Sequence, residues 1–366
     1  MRFKALSSSL HKKVDNLGKI CKSKTTLPIL NYIKVDVSDD LVKMTASDLE
    51  ITLSATVVPE EVESVGSICV LADKFSEIIR SFKDQPIDFS VDGNNMILKA
   101  KGGTFKIPCY PSEDFPILRE PEENSCIVIS SQVLVNGLNK TDFATYKDED
   151  RPAVRGTNIN LKTDKTEFFA TDGVKLAACF SGGLVSFPSS VIVPLKLSST
   201  LKSLLSEAVS DVELSFDEKN IKIDATEYLI YSKKIEAEYP AYEAILNREV
   251  DVIFSVGKDD LLDALKRSLS FANTYALIAV NVLIGIVSIA AENKDFGLSA
   301  EEELTCENKE GSGSFKINGR FLLEILQRIS SETIEISFSE QQPIVYFNPL
   351  DETENCLFGL MKYMSL

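Results

Sequence analysis

The chain has 366 residues, 44% of them hydrophobic, and carries 39 basic against 55 acidic side chains for a formal net charge of −16. So long a chain exceeds what one core usually serves, so two or three domains are expected; the acidic balance argues against a general nucleic-acid binder with evenly spread charge. Seven cysteines without a CxxC spacing point to reduced thiols, not to a zinc site or a disulfide framework.

The opening "MRFKALSSSLHKK" lacks the apolar core of a signal peptide, so a cytoplasmic protein is expected. A helix is predicted over 8–21, then strands around "TASDLEITLSA" at 45–55 and a strand from Ile68 that runs into a helix over 73–82. Strands flanking the turn "VDGNN" follow, and then "SEDFPIL" at 112–118. The pattern then starts again. A helix over 131–140 precedes "ATDGVKLAACF" at 170–180, "VIVP" at 191–194 enters a helix over 195–209, and strands around "FDEKN" lead to "EAEYPAYEAIL" at 236–246. A third pass has a helix over 258–269, "AAENKDFGLSA" at 290–300 and a helix over 319–330. Its segment "YALIAVNVLIGIVSIAA", 275–291, approaches the length of a membrane span. Asn281, Gly285, Ser288 and many β-branched residues make it a hairpin instead.

Landmarks in the three passes agree on a period near a third of the chain. Asp48, Asp172 and Asn293 correspond; so do Val70, Val193 and Ile317, and Asp88, Glu213 and Glu335. About twenty strands against six helices make an α+β protein of three repeated units, each with two helices and antiparallel sheet, over 1–120, 121–247 and 248–366. The two proline-bearing segments, with Pro116 and Pro240, read as connectors between units.

Charge is segregated. The six helical windows hold 16 basic and 8 acidic residues, leaving 23 and 47 for everything else. In the first helix Lys12, Lys19 and Lys22 oppose Leu10, Val14 and Leu17; in the fourth, Lys196 and several serines oppose a leucine stripe. A basic face on each unit of an acidic protein suits a polyanion approached from one side, because contacts to phosphates give affinity without sequence information.

The repeats, with "TLPIL", "TASDLE", "ATDGVKLA", "VIVP", "EYPAY" and the closing "LMKYMSL", resemble the bacterial sliding clamps, the beta subunits of DNA polymerase III, along the whole length. The resemblance implies a head-to-tail homodimer closed into a six-domain ring, with helices lining a pore that duplex DNA threads, and partners such as the polymerase III catalytic subunit and the clamp loader. It matches Lys24, Lys74, Arg80 and Lys196 to DNA-facing positions; helical phase adds Lys12, Lys202, Lys266 and Arg328. Ring closure needs two unlike surfaces. The first unit ends in a strand rich in Lys99, Lys101 and Lys106, and the third offers Glu301, Glu302 and Glu303, so these edges are expected to pair, with Lys74, Ile78, Phe105, Ile107 and Phe271 nearby.

Partner peptides of this family dock in an apolar groove. Here it is matched by Arg151, Val154, Gly156, Thr171, Gly173, Val174, Lys175, Leu176, Pro240, Ala244, Ile245, Pro343, Leu360, Met361, Tyr363 and Met364. The chain departs from the family pattern at Val174, usually polar, at Lys175 for an arginine, at Lys362 for a proline, and at the apolar "NVLIGIV" tip. Those departures leave open a specialised or second clamp. An enzyme is disfavoured. The lone histidine, His11, belongs to no catalytic arrangement, no phosphate-binding glycine motif occurs, and Asp172 recurs as a turn residue. No catalytic residue, cofactor or metal is expected, and a three-repeat scaffold that does not bind DNA remains the alternative from another class.

Overall fold

A computed structural model of the chain describes residues 1–21, 27–116, 126–183, 188–206, 210–247, 249–351 and 353–363. Among these lie seven helices: α1 Ser7–Cys21, α2 Ala72–Ser81, α3 Ser131–Thr141, α4 Leu195–Leu205, α5 Glu243–Leu246, α6 Lys258–Leu269 and α7 Gly319–Leu326. Twenty-five strands accompany them, more than the twenty expected. In each repeat one helix follows the first strand, and a second is entered directly from a strand: Gly66–Leu71 into α2, Ser189–Pro194 into α4, Gly313–Asn318 into α7. The added helix, α5, is one turn inside the second connector.

Two compact units divide the chain. One comprises residues 1–131 and 207–234; the other comprises 132–206 and 235–366. The middle repeat therefore contributes strands to both. In the first unit its last strand, Tyr228–Lys233, pairs antiparallel with Ile51–Val57, so the first repeat's sheet continues into the second's as thirteen strands. Helix α1 lies against α2 where Gly18 meets Ser76, whose hydroxyl donates to the Val14 carbonyl at 3.4 Å. A Cβ on Gly18 would sit 3.0 Å from that hydroxyl, so the glycine sets how closely the helices approach. Phe3, Phe75 and Phe89 fill the space beneath, with the first and last stacked at 4.6 Å.

The second unit repeats the device. Strand Lys175–Gly182 of the middle repeat pairs antiparallel with Cys356–Met361, the last strand of the third, within a sheet of twelve. Gly137 of α3 faces the Phe168 ring, which a Cβ would meet at 2.5 Å, and Gly319 opens α7 against Ile278 and Leu269 in the same way. The 275–291 segment is the expected hairpin, strands Leu277–Leu283 and Ile286–Asn293 turning at Gly285 with φ 79°. No helix among the described residues is long and apolar enough to cross a membrane.

Several expectations change. Helix α7 ends four residues before the predicted Ser330, because the Glu354 carboxylate accepts the Ser330 and Ser331 backbone amides at 2.9–3.1 Å and draws the chain out of the helix. Helix α4 ends at Leu205, short of the predicted Val209, and residues 207–209 are outside the described set. The lysine-rich edge is a hairpin, not one strand: Lys99 lies on Asn95–Ala100, Lys101 in the turn and Lys106 on Gly103–Tyr110.

Candidate functional site

The second unit contains an apolar cleft of about 510 Å³. Its rim is the turn Thr171–Lys175, and its shape is set locally. The Asp172 carboxylate accepts the amides of Val174 and Lys175 at 2.8 and 2.7 Å, the Thr171 hydroxyl bonds the Lys175 carbonyl at 2.7 Å, and Gly173 turns the chain at φ 88°. Asp48 does the same in the first repeat, accepting from Glu50 and Ile51 at 3.0 and 2.9 Å. An aspartate tied up in its own turn is a structural residue. Asn293 does not cap a comparable turn, and its amide instead donates to the Ala272 carbonyl at 3.5 Å.

The floor comes from the ladder between Lys175–Gly182 and Cys356–Met361, which places Leu176 opposite Gly359 and Lys175 opposite Leu360. Gly359 is needed there, since a Cβ would meet Leu176 at 2.8 Å and Ile344 at 3.1 Å. Pro240 and Ile245 of the second connector form one wall. That connector is pinned by stacking of Tyr242 on Phe169 at 4.0 Å, with Tyr239 edge-on to both. The Tyr242 hydroxyl donates to Glu167 at 2.8 Å, and burial pushes the tyrosine's pKa up. Glu167 is itself buried between Lys162 and Lys165, at 2.9 and 2.6 Å.

Lys175 brings a charge to the cleft wall but spends it internally. Its side chain is only 5% exposed, and the ammonium reaches Glu324 at 2.7 Å and the Phe143 carbonyl at 3.1 Å, over the Phe321 ring at 4.9 Å. Arg151, over the Tyr146 ring at 5.3 Å, is the exposed cation of the rim. Lys362, where the family pattern has proline, donates its backbone amide to the Pro343 carbonyl at 2.7 Å, a bond that proline cannot make.

Of the sixteen residues expected in the groove, the cleft brings together Arg151, Val154, Thr171, Gly173, Val174, Lys175, Leu176, Pro240, Ile245, Pro343, Leu360 and Met361. Gly156, Ala244 and Tyr363 do not line it, and Met364 falls outside the described residues. Gly156 serves the sheet instead, because a Cβ there would lie 2.4 Å from the Val193 carbonyl oxygen and keep two strands from closing. Ala153, Asp172, Ile344 and Gly359 also line the cleft without having been expected. Asp172 was legible from its turn, whereas Ile344 and Gly359 arrive only through strand register.

The basic residues divide. Lys12, Lys74, Arg80, Lys196 and Lys266 are exposed on their helices, and Lys24 lies outside the described residues. Lys202 instead reaches the buried Asp142 carboxylate, which Ser198 also bonds at 3.0 Å, so its charge balances an interior one. Arg328 lies beyond the end of α7, half-buried over the Phe143 ring, which removes the helical phase that singled it out.

The two expected edges are both open on one side. Strand Leu298–Glu310 pairs with Ile286–Asn293 over residues 298–305, and its other neighbour reaches only 306–310. Strand Gly103–Tyr110 touches its second neighbour only at Cys109 and Tyr110. Glu301 and Glu303 face solvent, while Glu302 points to the other face and pairs with Arg267 at 2.5 Å. Phe105 and Phe271 are exposed and Ile78 is half-buried, but Ile107 is 1% exposed and belongs to the chain's own core.

Three family models match consecutive stretches: the DNA polymerase III beta subunit N-terminal domain over residues 1–119, its central domain over 128–241 and its C-terminal domain over 243–357. A curated relative, the beta sliding clamp of Pseudomonas aeruginosa, is 27% identical over 97% of this chain and 98% of its own. The crystal structure of the DNA polymerase III subunit beta from the same organism superposes with a TM-score of 0.95 at 26% identity, covering all of both chains. A further structure of that clamp, bound to griselimycin, also gives 0.95, at 25% identity over all of both chains.

Proposed function

The chain belongs to the DNA polymerase III beta subunit family, the beta sliding clamps, and from that premise we propose that two copies close head to tail around duplex DNA. The three clamp domains would be 1–120, 121–247 and 248–366. Exposed Lys12, Lys74, Arg80, Lys196 and Lys266 supply a sequence-independent attraction to phosphates, while the acidic remainder keeps DNA off other surfaces. Closure pairs the open edge at 298–305 with the open edge at 103–108 of a second copy, Glu301 and Glu303 meeting Lys106, with Lys99 one strand behind it. Such a ring holds a polymerase on its template by topology. It has no catalytic step of its own, needs no cofactor, and works in the cytoplasm.

The cleft carries the second half of the reading. An apolar trough between the Thr171–Lys175 turn and the Leu360–Met361 strand end suits a short linear peptide inserting apolar side chains, the mode by which the replicase and the clamp loader would be tethered. With Lys175 neutralised by Glu324, specificity at the rim falls to Arg151. The exposed apolar tip at Leu283, Ile284 and Ile286 and the exposed Val174 favour a variant of this function, a clamp whose peptide preference differs from that of the main replicase.

One experiment tests the whole reading: loading on nicked circular DNA by a clamp loader, followed by linearisation. A sliding clamp is lost through the ends. Retention on the linear DNA, or failure to load at all, would overturn the proposal.

A further inference from the structure

Two of the seven cysteines face each other across the ladder that joins the middle repeat to the third: Cys179 lies directly opposite Cys356. Their neighbours show the kind of pair they form. The Phe180 amide donates to the Asn355 carbonyl at 2.9 Å and the Met361 amide to the Val174 carbonyl at 2.8 Å, so hydrogen-bonded pairs fall at 180/355 and 174/361. Alternation along an antiparallel ladder then makes 179/356 a non-hydrogen-bonded pair, in which the Cα atoms lie about 4.5 Å apart and side chains come closest. That spacing falls within the span a disulfide can bridge.

Both residues are buried, yet Cys356 is reached from solvent. It lines a cavity of about 490 Å³ with Phe180, Leu246, Glu335, Asp351 and Asn355, ample for a small oxidant. The surroundings also separate Cys179 from the other thiols. A hydrogen bond from the Cys356 thiol, helped by the Lys140 charge, holds Cys179 below the ordinary thiol range against the opposing effect of burial, while the same hydrogen bond and burial push Cys356 up. Burial pushes Cys21 up to about 12 and Cys69 up to about 11. Two sulfurs in hydrogen-bond contact are the arrangement in which one, once oxidised, is resolved by its neighbour.

We propose that Cys179 and Cys356 are a redox modification site, which a peroxide converts to an intrachain disulfide that staples the middle repeat to the last strand of the chain. One sulfur of the pair, as its thiolate, attacks one peroxide oxygen, the O–O bond breaks, and the departing hydroxide takes up a proton as water, leaving a sulfenic acid on that cysteine. The sulfur of the other cysteine then attacks it; the S–O bond breaks, and the second hydroxide leaves as water with the proton that the attacking thiol gives up. Two electrons pass from the thiols to the peroxide. The cross-link fixes the register of the strands whose other end carries Leu176, Gly359 and Leu360 in the cleft floor, although the redox chemistry does not depend on what the cleft binds.

The test treats the full-length native protein with hydrogen peroxide, blocks remaining thiols under denaturing conditions and maps peptides by mass. The expected result is joint loss of label at Cys179 and Cys356, a cross-linked peptide lighter by two hydrogens, full return with dithiothreitol, and a raised melting temperature in the oxidised form. Cys356→Ser abolishes the cross-link and Cys21→Ser leaves it intact; if Cys356→Ser does not fold, the wild-type map decides alone. Unchanged labelling of the pair, over-oxidation of either sulfur without a cross-link, or a bond involving another cysteine such as exposed Cys126 would each overturn the proposal.

Discussion

Replacing Glu301 and Glu303 together with lysine is expected to weaken self-association by about thirtyfold. The two carboxylates lie on the solvent face of an open strand edge, and the proposed partner edge presents Lys106 on its own solvent face, with Lys99 exposed one strand further in. An opposite-charge pair facing across two strands contributes about 0.5 kcal/mol, and reversing it changes a gain into a penalty of similar size. One such facing pair at each of the two subunit boundaries of the ring therefore shifts association by about 2 kcal/mol, which corresponds to roughly thirtyfold in dissociation constant. Screening should shrink the effect at about 1 M salt, where the Debye length is about 3 Å. Sedimentation equilibrium across a dilution series, at low and high salt, measures both. Glu302→Gln serves as the control, because Glu302 points to the opposite face and pairs with Arg267 of its own chain. A double variant that keeps its helical content and dimerises as tightly as the unaltered protein would refute the edge-pairing argument.

The cleft makes a contrasting pair of predictions. Val174→Asp, at an exposed position, should leave the melting temperature nearly unchanged and weaken polymerase-derived peptides by about 1–2 kcal/mol, whereas Leu176→Ala, at a buried one, should also cost roughly 2–4 kcal/mol of stability. Fluorescence anisotropy alongside urea unfolding separates the two, and equal peptide affinity in Val174→Asp would count against the cleft as the docking site. Glu354→Gln should destabilise the second unit by about 2 kcal/mol in urea, because it removes the charge partner of the largely buried Lys140 ammonium, leaving it the Arg328 carbonyl and the Ser330 hydroxyl, and weakens the acceptor for the Ser330 and Ser331 amides. Acid should loosen the second connector. Burial alone pushes the Glu167 carboxyl up, but bonds from Lys165, Lys162 and Tyr242 together hold it below its ordinary value. A depressed folded value means stabilisation that is complete above the unfolded carboxylate value of about 4.3 and is lost as pH falls through the folded one. The stability difference between the unaltered protein and Glu167→Gln should therefore narrow in acid; a difference that stays flat down to pH about 3 would sink the linkage.

Features held by a few consecutive residues were open to reading from the sequence. The three strand-to-helix junctions, the hairpin turning at Gly285, and the paired turns capped by Asp48 and Asp172 each rest on hydrogen bonds or backbone conformations spanning fewer than five residues. Repetition amplified them, since a weak local signal met again about a third of the chain later becomes a strong one. The acidic body with basic helix faces was equally visible, because charge is counted before it is placed.

What long-range pairing decides was not legible. Helical phase put Lys202 on a polar face, and the structure places Asp142, sixty residues earlier in the sequence, within its reach. Alternation along Gly103–Tyr110 could not tell that Ile107 faces the chain's own core, nor could "EEE" reveal that only its middle member is taken by Arg267. The cleft floor and the facing cysteines depend on one ladder that joins residues 175–179 to 356–360. Nothing local specifies that register. It is selected by how the sheets of two repeats merge to satisfy edge hydrogen bonds and bury their apolar faces, a choice that only the folded chain makes.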